Sequence, residues 1–190
     1  MTSDTAAARL NMVESQVRTA DVTDPKIPEA MRAVQRETLC PPERAYLAYA
    51  DAEVQYADGR WLMRPRDAGK MLMGLNPRAG ERALAIAGPY LAAVLEEIGL
   101  VVERADGEDL TVLPAGQYDI VVSEGAVDRA PQAWLDALGE NGRLAVVERR
   151  GPVGKARLYI RSETGIGSRE MFDSAAVLLA QFAPKPSFAF

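Results

Sequence analysis

Three short stretches hold the side chains that could serve a chemistry. The first, 81–99, reads ERALAIAGPYLAAVLEEIG. It is an apolar run at 83–86, a turn of Ala87, Gly88 and Pro89, then Leu, Ala and Val at helical spacing. That is the layout of the first strand, turn and helix of a nucleotide-binding α/β domain. Such a turn is normally rich in glycine, because backbone must approach the ligand without an intervening Cβ. Here one glycine remains, a proline follows it, and no carboxylate ends the strand. The second stretch ends on Glu103, where an acidic residue would take ribose hydroxyls. The third is Ser123, Glu124 and Gly125, at the carboxyl end of a later apolar run and placed to line a cleft there. Ala87, Gly88, Glu103, Ser123, Glu124 and Gly125 are therefore the candidate cofactor contacts if a nucleotide is still bound. Each also has an ordinary role open to it, as a surface carboxylate or as turn chemistry at a strand end.

What is missing narrows the chemistry further. The 190 residues include no histidine and a single cysteine, Cys40. Ser-His-Asp and Cys-His nucleophilic catalysis are excluded, as are histidine metal sites, cysteine zinc sites and an internal disulfide. Acid–base work would fall to carboxylates, Lys, Tyr or a cofactor. Methyl transfer from a sulfonium donor survives this filter, since aligning two reactants supplies much of the catalysis. No residue is nominated as catalytic, and none as a metal ligand. A net charge of −5, with basic residues scattered among acidic ones, excludes a nucleic-acid stripe. The first residues, MTSDTAAARLNMVESQ, lack the pattern of a secretory signal, and the longest apolar stretch, 84–95, is too short to span a bilayer. The expectation is a soluble, cytoplasmic protein without membrane or nucleic-acid partners.

The elements that must position these residues follow from periodicity. Leu10, Val13 and Val17 predict a helix over 6–18, and Ile27, Ala30, Met31 and Val34 a second over 26–34. An irregular stretch to Asp58 contains Cys40-Pro41-Pro42. Asp58-Gly59 marks a turn before Trp61-Leu62-Met63, and Pro65 opens a helix that Asn76-Pro77 closes near Leu75. Strands are predicted at 83–86, 101–104, 118–123 and 143–148, with helices at 90–98 and 131–138. The runs are nearly continuous in apolar residues, as a parallel sheet covered on both faces requires. Residues 156–161 and 168–172 read as an antiparallel hairpin added to that sheet. The C-terminal aromatics Phe188 and Phe190 are expected to dock. The expected organisation is a helical extension, 1–78, packed on an α/β body, 79–190.

Nearly the whole chain resembles the protein-L-isoaspartate O-methyltransferase family. The resemblance runs through MVESQVRTADVTDPKIPEAMRAVQRETLCP, where Val34-Gln35-Arg36-Glu37 stands for the family's Val-Pro-Arg-Glu block. It continues through 58–65, where the family carries Ser-Gln-Pro, then 118–126, Gly151-Pro152-Val153-Gly154 and Met171-Phe172-Asp173. It implies a class I methyltransferase-like, Rossmann-like α/β sheet, and methylation of an isoaspartyl carboxylate by S-adenosylmethionine. The departures fall where chemistry would occur. The family's acidic-x-Gly-x-Gly-x-Gly turn is here Ala85-Ile86-Ala87-Gly88-Pro89-Tyr90, and proline removes a donor and fixes φ. Met63 and Arg64 stand in place of the acceptor-side Ser-Gln. Between Glu103 and Tyr118 there is no room for the helix and strand that cover the adenine in the family. The expectation is a pseudoenzyme that binds no cofactor and works through a protein partner or a homo-oligomer. Its contact surface would be the N-terminal helices and an exposed carboxyl edge of the sheet, with Tyr90 or Pro89 filling the vacant pocket. The alternative is a competent S-adenosylmethionine-dependent carboxyl O-methyltransferase.

Overall fold

The computed structural model describes residues 2–183. The aromatic tail expected to dock lies outside the described residues.

Helix α1 (Thr2–Met12) runs into a π-helical turn at Val13–Val17 and a 3-10 turn at Arg18–Ala20. Val13 and Val17 of the stripe read from sequence are buried, with Met12 beside them, whereas Leu10 of that stripe is 37% exposed. Helix α2 (Lys26–Ala33) follows. The irregular stretch holds two 3-10 helices, Arg36–Leu39 and Pro42–Leu47, and strand β1 (Val54–Ala57), which was not anticipated. β1 pairs antiparallel with β2 (Arg60–Leu62). Helix α3 (Pro65–Leu75) starts on proline and ends with Asn76 in the left-handed region, φ 48°, before Pro77.

The body runs, in chain order, β3 (Arg82–Ile86), α4 (Pro89–Ile98), β4 (Val101–Ala105), β5 (Tyr118–Val127), α5 (Gln132–Asp136) and β6 (Leu138–Glu148). The hairpin of β7 (Gly154–Ser162) and β8 (Gly165–Ser174) completes it. The six strands lie in the order β4-β3-β5-β6-β7-β8; the first four are mutually parallel and the last two antiparallel. Residues 106–117 form neither helix nor strand, so β4 is left at the sheet edge.

Alternate residues of β3 serve opposite faces. Ala83 and Ala85 join the larger core with Met31, Leu72, Tyr90 and Leu91, so helices from the first 78 residues and α4 cover one face. Leu84 and Ile86 join the smaller core with Leu110, Trp134, Leu138 and Leu179. That second face is covered by the short α5, the 106–117 loop and the segment after β8, rather than by long helices.

Candidate functional site

The order of the strands fixes where a ligand would bind. From β3 the chain passes through α4 to β4 on one side, then returns across to β5 on the other side of β3. The carboxyl ends of β3 and β5 are thus a topological switch point, where the crevice of an open α/β sheet lies. The residues there are Ala87 and Gly88 after β3, and Ser123, Glu124 and Gly125 within β5.

The turn after β3 keeps a glycine-like backbone without the glycine. Ala87 has φ 45°, in the left-handed region, and its amide donates to the Ala105 carbonyl at 3.1 Å. Pro89 then opens α4, where a missing amide hydrogen leaves no bond unmade. The free amides of Tyr90 and Leu91 come next, at the positive end of the helix dipole.

A carboxylate of the chain itself occupies that position. Between Val122 and Ala126, four steps of β5 face two steps of β6, Ala145 to Val147, so β5 carries two extra residues. Such a bulge re-aims side chains, and this one sends Glu124 to the start of α4. Glu124 Oε1 accepts from the Tyr90 and Leu91 amides at 2.7 and 2.8 Å. Oε2 accepts from the Met63 amide at 2.9 Å, which ties the linker between β2 and α3 to the same point. The side chain is 1% exposed. Burial pushes its carboxyl above the usual carboxylate range, while Arg36 and the three amides pull the other way. Arg36 is wholly buried. Its Nε and Nη2 donate to the Ala48 and Met63 carbonyls at 2.8 and 2.6 Å, and its guanidinium stacks 4.4 Å from the centre of the Tyr90 ring.

A strap from beyond β8 closes the crevice. The Val177 carbonyl takes the Ala126 amide at 2.8 Å, and the Leu179 amide donates to the Ala126 carbonyl at 2.9 Å. Leu179 is 3% exposed and sits directly on Gly125: a Cβ there would lie 2.4 Å from Leu179 Cγ. Beyond it, Gln181 accepts from the Leu110 amide and donates to Asp109, at 2.9 and 2.6 Å. Phe182 meets Trp134 edge-on at 5.4 Å, while the Trp134 indole N–H donates to the Leu110 carbonyl at 2.7 Å. The strap thereby seals onto the loop that stands where a strand was unable to fit. A cleft of about 250 Å³ remains outside it, between Gly59, Arg60, Leu110 and Gln181.

The structure therefore brings together five of the six nominated residues. Ala87, Gly88, Ser123, Glu124 and Gly125 are all buried against one another and against the strap, and Ser123 Oγ donates to the Gly125 carbonyl at 3.1 Å. Glu103 is elsewhere. It lies mid-strand, opposite Leu84, and its carboxylate accepts from Arg82 at 2.8 Å and from the Tyr118 hydroxyl at 3.1 Å. Arg82 and Tyr118 are the first residues of their strands, so Glu103 leans to the amino end of the sheet, away from the switch point. Those two donors hold its carboxyl below the usual range. The edge expected to be exposed is covered, and its filling comes from Glu124 and Leu179 rather than from Tyr90 or Pro89. Tyr90 is buried on the opposite core with Arg36, and Pro89 is half-buried at the helix start. Arg64, which stands where the family carries Gln, pairs with Glu53 at 3.0 Å. Met63 and Met71 are wholly buried in the core, and Met73 is half-buried against it. Among the described residues there is no group of three metal-ligating side chains, and no helix is long and apolar enough to cross a membrane.

The sheet order, its antiparallel hairpin and the crossing at β3 and β5 define a class I methyltransferase fold. A Plasmodium falciparum structure described as a protein-L-isoaspartate O-methyltransferase, in complex with S-adenosyl-L-homocysteine, superposes with a TM-score of 0.75 over 91% of this chain and 98% of its own, at 16% identity. A second protein-L-isoaspartate O-methyltransferase gives 0.69 over 90% of this chain and 65% of its own, at 17% identity. The curated protein-L-isoaspartate O-methyltransferase of Methylorubrum extorquens is 30% identical across 95% of this chain and 89% of its own length. That of Methylorubrum populi is 28% identical over 95% of both. No family model matches the chain. The chain belongs to the protein-L-isoaspartate O-methyltransferase family.

Proposed function

We propose that this chain is a non-catalytic member of its family, one that does not take up S-adenosylmethionine and acts through contacts with a protein partner or a second copy of itself. The observation that carries the reading is the Glu124 carboxylate, bound by the Tyr90, Leu91 and Met63 amides at the switch point. The residues present do not fit the nucleotide as they are packed. It would have to displace a buried charge from three donors and lift Leu179 off Gly125, and the carboxylate that follows the end of β4, Asp106, already faces Arg60 at 3.8 Å. Operation in the cytoplasm is part of the same proposal.

The second reading is an active carboxyl O-methyltransferase acting on isoaspartyl or related protein carboxylates. Identity to the Methylorubrum extorquens enzyme over nearly the full chain favours it. Calorimetric titration with S-adenosylhomocysteine, together with thermal melts, separates the two. A ligand at 100 times its dissociation constant stabilises the fold that binds it by about 2.7 kcal/mol, a readily visible shift. The proposal expects neither heat nor shift up to millimolar ligand. Micromolar binding would remove it, and methylation of an isoaspartyl peptide would then be measured.

A further inference from the structure

The buried end of α4 has more donors than its occupant uses. Glu124 takes the amides of Tyr90, Leu91 and Met63. Behind them Arg36 is fully buried and acts on the Glu124 charge, yet its Nη1 has no hydrogen-bond partner among the described residues. A buried guanidinium nitrogen without a partner is uncommon and marks polar capacity that the fold does not use. The Tyr90 hydroxyl, on the residue whose amide holds Glu124 and whose ring lies under Arg36, is also buried without a partner. The three amides suit a planar anion with two oxygens, and the buried guanidinium nearby favours its charge.

We propose that this cluster is a receptor for a small carboxylate, and that Glu124 is its tethered occupant rather than a mere structural cap. The inference rests on the switch point being internally filled, and it adds what the filled site recognises. A tethered ligand competes at a high effective concentration, so free carboxylates do not enter the native chain. Removal of the tethered carboxylate leaves the donors in place and exposes their preference. Charge and shape then both matter: formate and acetate present two oxygens in the plane of Glu124's own, whereas chloride does not.

The test is Glu124→Ala, compared with the unaltered chain, in thermal melts with sodium formate, acetate or chloride at matched ionic strength. The expected result is a lowered melting temperature for the variant, raised saturably by formate and acetate over chloride, with no such difference for the unaltered chain. A folded variant that responds equally to all three salts would overturn the inference, as would an unaltered chain that shows the same formate response. Glu124→Gln keeps the side-chain volume and covers the case in which the alanine variant does not fold. Its loss of charge should move the Tyr90 and Leu91 amide resonances well away from their native positions without any formate effect. Unmoved amides would mean that Glu124 is not the bound charge. Binding of S-adenosylhomocysteine by the unaltered chain would count against the proposed function, whereas a failed formate response without such binding would count against the receptor alone.

Discussion

Gly125 and Leu179 offer a direct probe of how tightly the switch point is filled. A methyl group at Gly125 would lie 2.4, 2.5 and 3.0 Å from Leu179 Cγ, Cδ2 and Cδ1. The strap is unable to slide aside cheaply, because the Leu179 amide and the Val177 carbonyl are both bonded to Ala126. Gly125 does not need its glycine for backbone reasons, since its φ is not positive. The contact is the whole of the penalty. Overpacking a tight core costs about 1–3 kcal/mol, so Gly125→Ala should lower the melting temperature by roughly 2–4 °C per kcal/mol for a chain of this size. Leu179→Ala alone removes a side chain that is 3% exposed and should cost about 2–5 kcal/mol. In the Leu179→Ala background the clash is gone, and Gly125→Ala should become neutral or stabilise by about 0.4–1 kcal/mol through the unfolded chain. Urea denaturation of the four proteins gives the cycle, with an expected coupling of about 1–4 kcal/mol. Effects that add to within about 0.5 kcal/mol would show that Leu179 does not rest on Gly125, and the closed crevice would lose its main support.

Glu124→Gln should destabilise by about 3–5 kcal/mol, because it removes the charge that acts on buried Arg36 and, with one oxygen kept for the two α4 amides, sets an NH2 group against the Met63 amide; a loss below about 1 kcal/mol in urea would contradict the buried carboxylate. Alkaline titration tests the buried phenols. Tyr49 and Tyr159 are pushed up to about 12 by burial and by bonds to Glu37 and Glu148, and burial raises Tyr56 and Tyr90 as well. A raised phenol favours the protonated, folded form, so its contribution is complete below pH 10 and fades as pH climbs from 10 to 12. Tyrosinate absorbance should therefore lag a free-tyrosine curve and rise together with unfolding; a simple midpoint near pH 10 in the folded protein would refute the assignment. Trp134→Phe should cost about 1–3 kcal/mol by leaving the Leu110 carbonyl unbonded, as measured by the denaturation midpoint, and no loss would mean that the 106–117 loop is not held through that indole.

Local signals in the sequence were sufficient where one element decides its own ends. Helix α3 runs from Pro65 to Leu75 as expected, because proline suits its first turn and Asn76-Pro77 stops it. The paired faces of β3 were legible from an apolar run without polar alternation. The bulge in β5 was not, since Ser123-Glu124-Gly125 looks like the end of a strand and its meaning depends on what α4 offers across the sheet. Glu103 was misplaced for a related reason: the strand extends to Ala105, and its partners Arg82 and Tyr118 lie at strand starts distant in sequence. The strap carries no periodic signal, because Val177, Leu179 and Phe182 are positioned by Ala126 and Trp134 rather than by their neighbours. The loss of glycines from the turn was visible in the residues, whereas the carboxylate packed against it was visible only in three dimensions.

The most direct test of the filled switch point is an amide spectrum of the 15N-labelled chain, followed at Tyr90, Leu91 and Met63. With Glu124 as the resident carboxylate, these amides should be strongly protected from hydrogen exchange, and their resonances should stay fixed as S-adenosylhomocysteine is added to millimolar concentration. Rapid exchange at Tyr90 and Leu91, or displacement of their resonances by micromolar ligand, would mean that the end of α4 is open and that the crevice still accepts a nucleotide.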